Sequence, residues 1–321
     1  MQAAIYDKSG KMTQDSFKQL FNPDNTEEVT FFSFGGGQDS WAILILLIFD
    51  PDFRKKYAPN RLLVMMSDTG WEHPKTYLFT AKAKDLCWEH EIEFILITPD
   101  MGFHPGPWQT LTSNWEKNNT IGSIAFSQTC TDNIKIKPQF RYATKWLQDN
   151  YSIEPTTTQH TFLRFFGKYG KIRWIIGFAD GEDRQKDRGK EPLYRQNTID
   201  YVFPLQDIGA DRQGAQDIIT GYGFPLPPPS NCTICFWMSL QELLWLYLNL
   251  PEHFWHWVRL ERNKLNKSRS EGQPEAKNHG PFPGISIIAR TKLAIEKYGH
   301  WSSKRLEEYK MSHGHCVKSK Y

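Results

Sequence analysis

The sequence predicts an α/β protein with a doubly wound, mostly parallel sheet and an aromatic-rich helical region towards the C-terminus. Two observations carry that expectation. Short apolar and β-branched runs at residues 29–34, 61–66 and 91–98 alternate with segments of helical character at 41–49 and 74–90. Such alternation points to strand–helix–strand units with right-handed crossovers. The second observation is the aromatic content, 14% of the chain with 12 Trp, weighted to the second half.

The elements follow in order. Residues 1–24 form a polar lead-in with a weak amphipathic stretch (Phe17, Leu20, Phe21) and a turn at Asn22-Pro23-Asp24-Asn25. The main domain is expected over residues 25–225. Its first strand ends in Gly35-Gly36-Gly37-Gln38-Asp39-Ser40, and Pro51 stops the helix that follows. Residues 61–66 read as a fully buried second strand, 74–90 as a helix and 91–98 as a third strand. Residues 100–126 read as a long irregular insertion, a length at which loops are often functional. Helices are expected at 139–150 and 161–169, strands at 173–178 and 201–205, and a helix at 213–222. Pro225 to Pro229 breaks the chain before a region at 226–265 that holds Cys232-Thr233-Ile234-Cys235 and one helix over 240–262. The remainder, 266–321, reads as a mobile basic segment, polar over 266–280, with a helix near 286–297 and a basic tail.

A chain of 321 residues can bury a sizeable core, and 39% hydrophobic against 23% charged residues is the balance of a soluble globular protein. The longest apolar run, 41–49, is too short to span a bilayer, and the first residues lack the basic and apolar regions of a signal peptide. The expectation is a cytoplasmic protein without membrane contact. Five cysteines, an odd number, do not suggest a disulfide framework. Residues 259–321 hold 14 Lys and Arg against 6 Asp and Glu, whereas the preceding residues hold 25 against 30. That surplus of eight basic residues fits a nucleic-acid partner as well as a solvated basic face.

The glycine run carries the clearest chemistry. Glycines let the backbone turn sharply and approach a ligand. The amides of Gly36 to Ser40 would open a helix N-terminus, where partial positive charge favours phosphate. Asp39 adds a magnesium contact and Ser40 a phosphate hydrogen bond. In a parallel sheet, ligands bind beyond the carboxyl ends of the strands, which puts Asp68 in the same crevice. Asp180, Glu182 and Arg184 follow a strand end as well. Lys135, Lys137 and Arg141 offer positive charge. The loop is not a Walker loop, because the G-x-x-x-x-G-K-[ST] spacing is absent.

Cys232 and Cys235 stand at a spacing that can put two thiolates on one metal, and Cys130 is the obvious third. A dithiol redox pair or plain packing are the other readings. A zinc site would want a fourth ligand, for which His104, His313 and His315 are the candidates. Cys87, mid-helix beside Trp88, reads as a core residue.

The glycine loop resembles the Ser-Gly-Gly-x-Asp-Ser loop of the PP-loop ATP pyrophosphatases, also called adenine nucleotide alpha hydrolases. The order Gly-Gly-Gly-Gln-Asp-Ser, Asp-Thr-Gly, Cys-Thr-x-x-x-Lys-Ile-x-Pro, Ile-Gly-x-x-x-x-Glu-x-Arg, Phe-Pro-Leu and Cys-x-x-Cys looks like their phosphoadenosine-phosphosulfate reductase-like branch. Phage- and plasmid-borne members are the most similar in style, and the resemblance covers residues 29–262. It implies a HUP-like PP-loop fold and cleavage of ATP between its α- and β-phosphates. It assigns nucleotide contacts to Ser33, Gly35, Gly36, Gly37, Gln38, Asp39, Ser40, Asp68, Thr69, Lys135, Gly177 and Glu182, with Asp39, Ser40, Asp68 and Arg184 in catalytic roles. It makes Cys130, Cys232 and Cys235 ligands of a 4Fe-4S iron–sulfur cluster, with zinc as the alternative metal. Four departures stand out. Gly35 replaces a serine, Gln38 a frequent lysine and Phe236 the usual proline, and no cysteine lies between Arg212 and Cys232.

The activity this implies is ATP- and magnesium-dependent adenylation of a substrate oxygen, for sulfur transfer to a nucleic acid, with a sulfur-donor protein as a further partner. One rival is a sulfonucleotide reductase, whose Glu-Cys-Gly-x-His tail Gly314-His315-Cys316-Val317 does not match. The other is a non-catalytic nucleotide- or nucleic-acid-binding protein.

Overall fold

The computed structural model describes residues 28–125, 129–181, 191–274 and 278–312. Its strands are β1 (Val29–Ser33), β2 (Arg61–Ser67), β3 (Glu93–Ile97), β4 (Ile172–Ile176) and β5 (Ile199–Val202). The helices of the first half are α1 (Gln38–Phe49), α2 (Pro51–Tyr57), α3 (Pro74–Glu89) and α4 (Ser113–Asn118). A π-helical turn at Thr131–Ile136 then runs into α5 (Lys137–Asn150), followed by α6 (Thr158–Tyr169), α7 (Leu193–Thr198), α8 (Pro204–Asp207) and α9 (Arg212–Gly221). The C-terminal helices are α10 (Leu240–Asn249), α11 (Pro251–Ser270), α12 (Ile287–Tyr298) and α13 (Ser303–Ser312).

All five strands pair in parallel, in the order β3-β2-β1-β4-β5. Strand side chains alternate between the two faces, and both faces are covered. Val29 and Phe31 point with Leu63, Met65 and Trp174 towards Phe140, Trp146 and Leu147 of α5 and Phe162 and Phe165 of α6. Phe31 meets Trp146 and Trp174 edge-on, and Trp174 stacks on Phe140 with centroids 4.4 Å apart. Phe32, Val64, Met66 and Ile175 point the other way, onto α1, α3 and α9. Helix α1 is apolar almost all round because it is buried all round, between the sheet and α9. A truncation such as Leu44→Ala there would cost about 2–5 kcal/mol.

A second core joins the insertion after β3 to the C-terminal helices. Leu111, Trp115 and Ile121 pack with Leu243, Phe254, Trp257, Phe282, Ile287 and Leu306. The region expected to be irregular over 100–126 therefore contains α4 and supplies core residues. Lys310 of α13 and Glu242 of α10 form a buried ion pair at 3.1 Å, which fixes the last helix onto this core.

Several boundaries differ from the expectation, and the expected basic tail carries α13. The last strand is Ile199–Val202, because Pro204 sets φ for the first position of α8 and ends the strand. The single helix expected over 240–262 is two, broken where Leu250 precedes Pro251. Helix α11 then continues to Ser270, through residues that read as irregular polar chain. Among the described residues, no helix is long and apolar enough to cross a membrane.

Candidate functional site

Strand β1 lies between β2 and β4, so the connections leave it in opposite directions and open a crevice at the carboxyl ends of β1 and β4. A pocket of about 300 Å3 occupies that crevice. Ser33, Gly35, Gly37, Gln38, Asp39 and Ser40 line it from the β1–α1 turn, and Ile176, Gly177 and Phe178 from the end of β4. Lys135 and Gln139 contribute from the π-turn and α5, Ser230 and Asn231 from the segment after α9, and Arg212 from α9 itself.

Two glycines are required by the turn. Gly36 has φ +73°, and a Cβ there would stand 2.8 Å from Thr76 Cγ2. At Gly37 a Cβ would meet the backbone N of Ser230 at 2.8 Å, so the chain after α9 passes directly over the loop. Gly37 is also the N-cap of α1 and gives it no side-chain cap. First-turn amides are the ones a helix leaves without an internal acceptor, and here they belong to pocket-lining residues. The Ser40 hydroxyl donates to Gly37 O at 2.9 Å, tightening the turn.

Gln38 is committed to structure. Its amide nitrogen donates to Pro227 O and Met311 O, each at 3.1 Å, and its oxygen accepts from Gln216 Nε2 at 3.0 Å. The side chain thereby ties the loop to α9, to the chain after it and to α13. Ser33 Oγ donates to Gln139 Oε1 at 2.5 Å and accepts from Trp174 Nε1 at 2.7 Å.

The end of β2 is arranged differently from the expectation. Asp68 Oδ1 accepts from Gly70 N and Tyr77 Oη, both at 2.8 Å, and Asp68 is not in the pocket wall. Burial, then the Asp68 charge, pushes the Tyr77 hydroxyl pKa upward, which keeps it a donor. Thr69 is fully buried and donates to Glu72 Oε1 at 3.0 Å. Glu72 is the carboxylate of this segment that reaches the pocket wall. It is 2% exposed, pairs with Lys135 Nζ at 3.2 Å, and its Oε2 has no hydrogen-bond partner among the described residues. Lys137 pairs with Asp132 and Arg141 donates to Phe103 O, so of the three cations near Cys130 only Lys135 lines the pocket. Asp180 is exposed and not in the wall. Glu182 and Arg184 lie outside the described residues, as do His313, His315 and Cys316.

The structure brings the three candidate cysteines together. Cys130, Cys232 and Cys235 line one cavity of about 20 Å3, with Leu111, Trp115, Ile134, Ile234 and Phe236 as its apolar wall. A bridge between Glu72 and Cys232 and the bond from Thr233 N to Trp71 O, 2.7 Å, pin the Cys-x-x-Cys turn to the chain after β2. Cys232 Sγ lies 3.7 Å from Thr69 Oγ1 and 4.0 Å from Glu72 Oε1. Thr131 and Lys135 line both spaces, so the cavity and the large pocket share a wall. His104 is held by Asp68 O at 2.9 Å and does not line the cavity. Cys87 sits in the sheet core, its thiol pushed up to about 12 by burial.

Three soft sulfur donors in an apolar wall suit a thiophilic centre by chemistry. The space between them is about 20 Å3, the room of about one water-sized atom.

Sequence reasoning missed Glu72, Gln139, Arg212, Ser230 and Asn231 at the pocket. Only Glu72 left a signal, a carboxylate four residues beyond the Asp68 strand end. No protein-family model matches the chain, and a search of curated proteins found no match.

Proposed function

We propose that the pocket binds ATP and that the protein cleaves it between the α- and β-phosphates to adenylate a substrate, as a PP-loop enzyme of HUP-like fold. The observation that carries this reading is the uncapped N-terminus of α1, opening from a triple-glycine turn into the crevice at the β1/β4 switch point. Its amides and helix dipole suit the charge that grows on departing pyrophosphate, a stabilisation that needs no rearrangement during the reaction. Asp39 is the residue that would hold magnesium, which neutralises phosphate charge when bound. The aromatic side of the pocket, with Phe140, Trp174 and Phe178, suits a purine.

The acceptor in this reading is a nucleic acid, sulfur the group transferred, and a sulfur-donor protein the further partner. Cys130, Cys232 and Cys235 are the residues that would hold a thiophilic centre, iron–sulfur or zinc, beside the nucleotide. Exposed basic side chains on α11, α12 and α13, among them Arg259, Arg262, Lys267, Lys292 and Lys304, support a polyanionic acceptor. The reading places the protein in the cytoplasm.

Product analysis with ATP and magnesium tests the reaction. AMP and pyrophosphate are expected, formed faster when the acceptor is present. ADP and phosphate as the products would refute α–β cleavage.

A further inference from the structure

The glycine turn holds no cation of its own. Positions 35–40 read Gly-Gly-Gly-Gln-Asp-Ser, and Gln38 is held by three polypeptide segments. Among the described residues, the charged side chains in the pocket wall are Asp39, Glu72, Glu191, Lys135 and Arg212. Among these, acidic groups outnumber basic ones around a site read as taking a polyanion. Lys135 lies against the buried carboxylate of Glu72, so much of its charge is already offset. Arg212 enters from the opposite face of the sheet, on the side where α9 packs along α1.

Its placement is fixed by its own helix. Gln216, one turn further along α9, donates to Gln38 Oε1 at 3.0 Å, so this face of α9 is turned towards the glycine loop. Residues four apart lie on one helix face, which aims Arg212 at the loop as well. The carbonyl of Ser312, at the end of α13, accepts from Arg212 Nη1 at 3.3 Å and orients the guanidinium at the pocket rim.

We propose that Arg212 is a cationic contact for the phosphates of the bound nucleotide, supplying from α9 charge that the glycine turn lacks. This inference rests on the nucleotide reading of the pocket. A guanidinium is a planar fork that matches two phosphate oxygens, always charged, and less interchangeable with lysine than charge alone suggests.

The test is equilibrium binding of ATP with magnesium, and of adenosine, to the full chain and to Arg212→Ala and Arg212→Lys. Losing one charge-assisted contact should weaken ATP by ~10- to 100-fold in Arg212→Ala. Adenosine affinity should stay unchanged in both variants, and Arg212→Lys should recover part of the ATP affinity. Retained adenosine binding also shows that the alanine variant is folded. ATP bound equally well by wild type and Arg212→Ala overturns the inference while leaving the nucleotide reading intact. Equal losses for ATP and adenosine overturn it too, since Arg212 would then only hold α13 in place. Wild-type protein that binds neither ligand overturns the nucleotide reading, and the inference with it.

Discussion

Lys135 Nζ lies 3.2 Å from Glu72 Oε1, and this pair stands where the large pocket adjoins the cysteine cavity. Glu72 is almost wholly buried, whereas the Lys135 side chain is 25% exposed. Truncating either partner leaves the other charge poorly solvated. A double-mutant cycle with Glu72→Ala and Lys135→Ala, read by urea unfolding, should show a coupling of about 0.5–3 kcal/mol. Additive effects would mean that the two side chains stabilise the partition separately.

The two sides of the glycine turn should respond unequally to a methyl group. At Gly37 an added Cβ falls 2.8 Å from the Ser230 backbone, which cannot swing aside, so Gly37→Ala should lower stability by about 1–3 kcal/mol. At Gly35 the nearest atom is 3.6 Å away, an ordinary contact, and Gly35→Ala should stay within about 0.5 kcal/mol of wild type. Equal effects in denaturant melts would contradict the path of the chain over the loop.

Glu261 gives the stability a pH dependence of known sign. Burial raises its carboxyl pKa from 4.5 to about 7, against the opposing effect of the Ile287 amide, which donates to both oxygens at 3.1 Å. Between those values the folded chain holds a proton that the unfolded chain has released. Its contribution is therefore full at low pH and is lost as pH rises from 4.5 to about 7. His73 works in the opposite sense. Burial lowers it from 6.5 to about 4, and its contribution is lost as pH falls through that window. Comparing wild type with Glu261→Gln isolates the carboxyl, and the stability of wild type relative to the variant should decline from pH 4.5 to about 7. A constant difference across that range would remove Glu261 from the account.

Thiol reactivity should separate the cysteines by burial. Cys130 is half-buried at the start of the π-turn, whereas Cys87 is fully buried with its thiol pKa raised to about 12. Brief maleimide treatment of the native protein, followed by peptide mass mapping, should label Cys130 well before Cys87. Labelling of Cys87 at a comparable rate would show that α3 opens from the sheet.

The inner strands β1 and β2 were legible because they are buried on both faces and read as nearly unbroken apolar runs, with residues 61–66 the plainest. The glycine loop was legible because Gly36, at φ +73°, answers a local backbone demand, whereas Gly37 answers the tertiary approach of Ser230. The pocket's other residues were not, because the tertiary fold places them. Arg212 opens an ordinary amphipathic helix, and Ser230 follows a proline run. Asp68 is a carboxylate at a strand end, yet its oxygen serves Gly70 and Tyr77, and Glu72 reaches the pocket wall instead. The proximity of Cys130 to Cys232 and Cys235 was expected from sequence order, but the cavity's size could not be read there. Local propensity also joined α10 to α11, since the aromatic periodicity runs across the Leu250–Pro251 break.

The central claim, that the glycine-turn pocket holds an adenine nucleotide, is tested most directly by calorimetric titration of ATP with magnesium into the full chain and into Gly37→Ala. One saturable site per chain is expected. Gly37→Ala, which displaces the chain over the loop, should weaken it ~10-fold, the ratio that corresponds to a loss of about 1.4 kcal/mol. No saturable binding to the wild type, or the same affinity in the variant, would contradict the account.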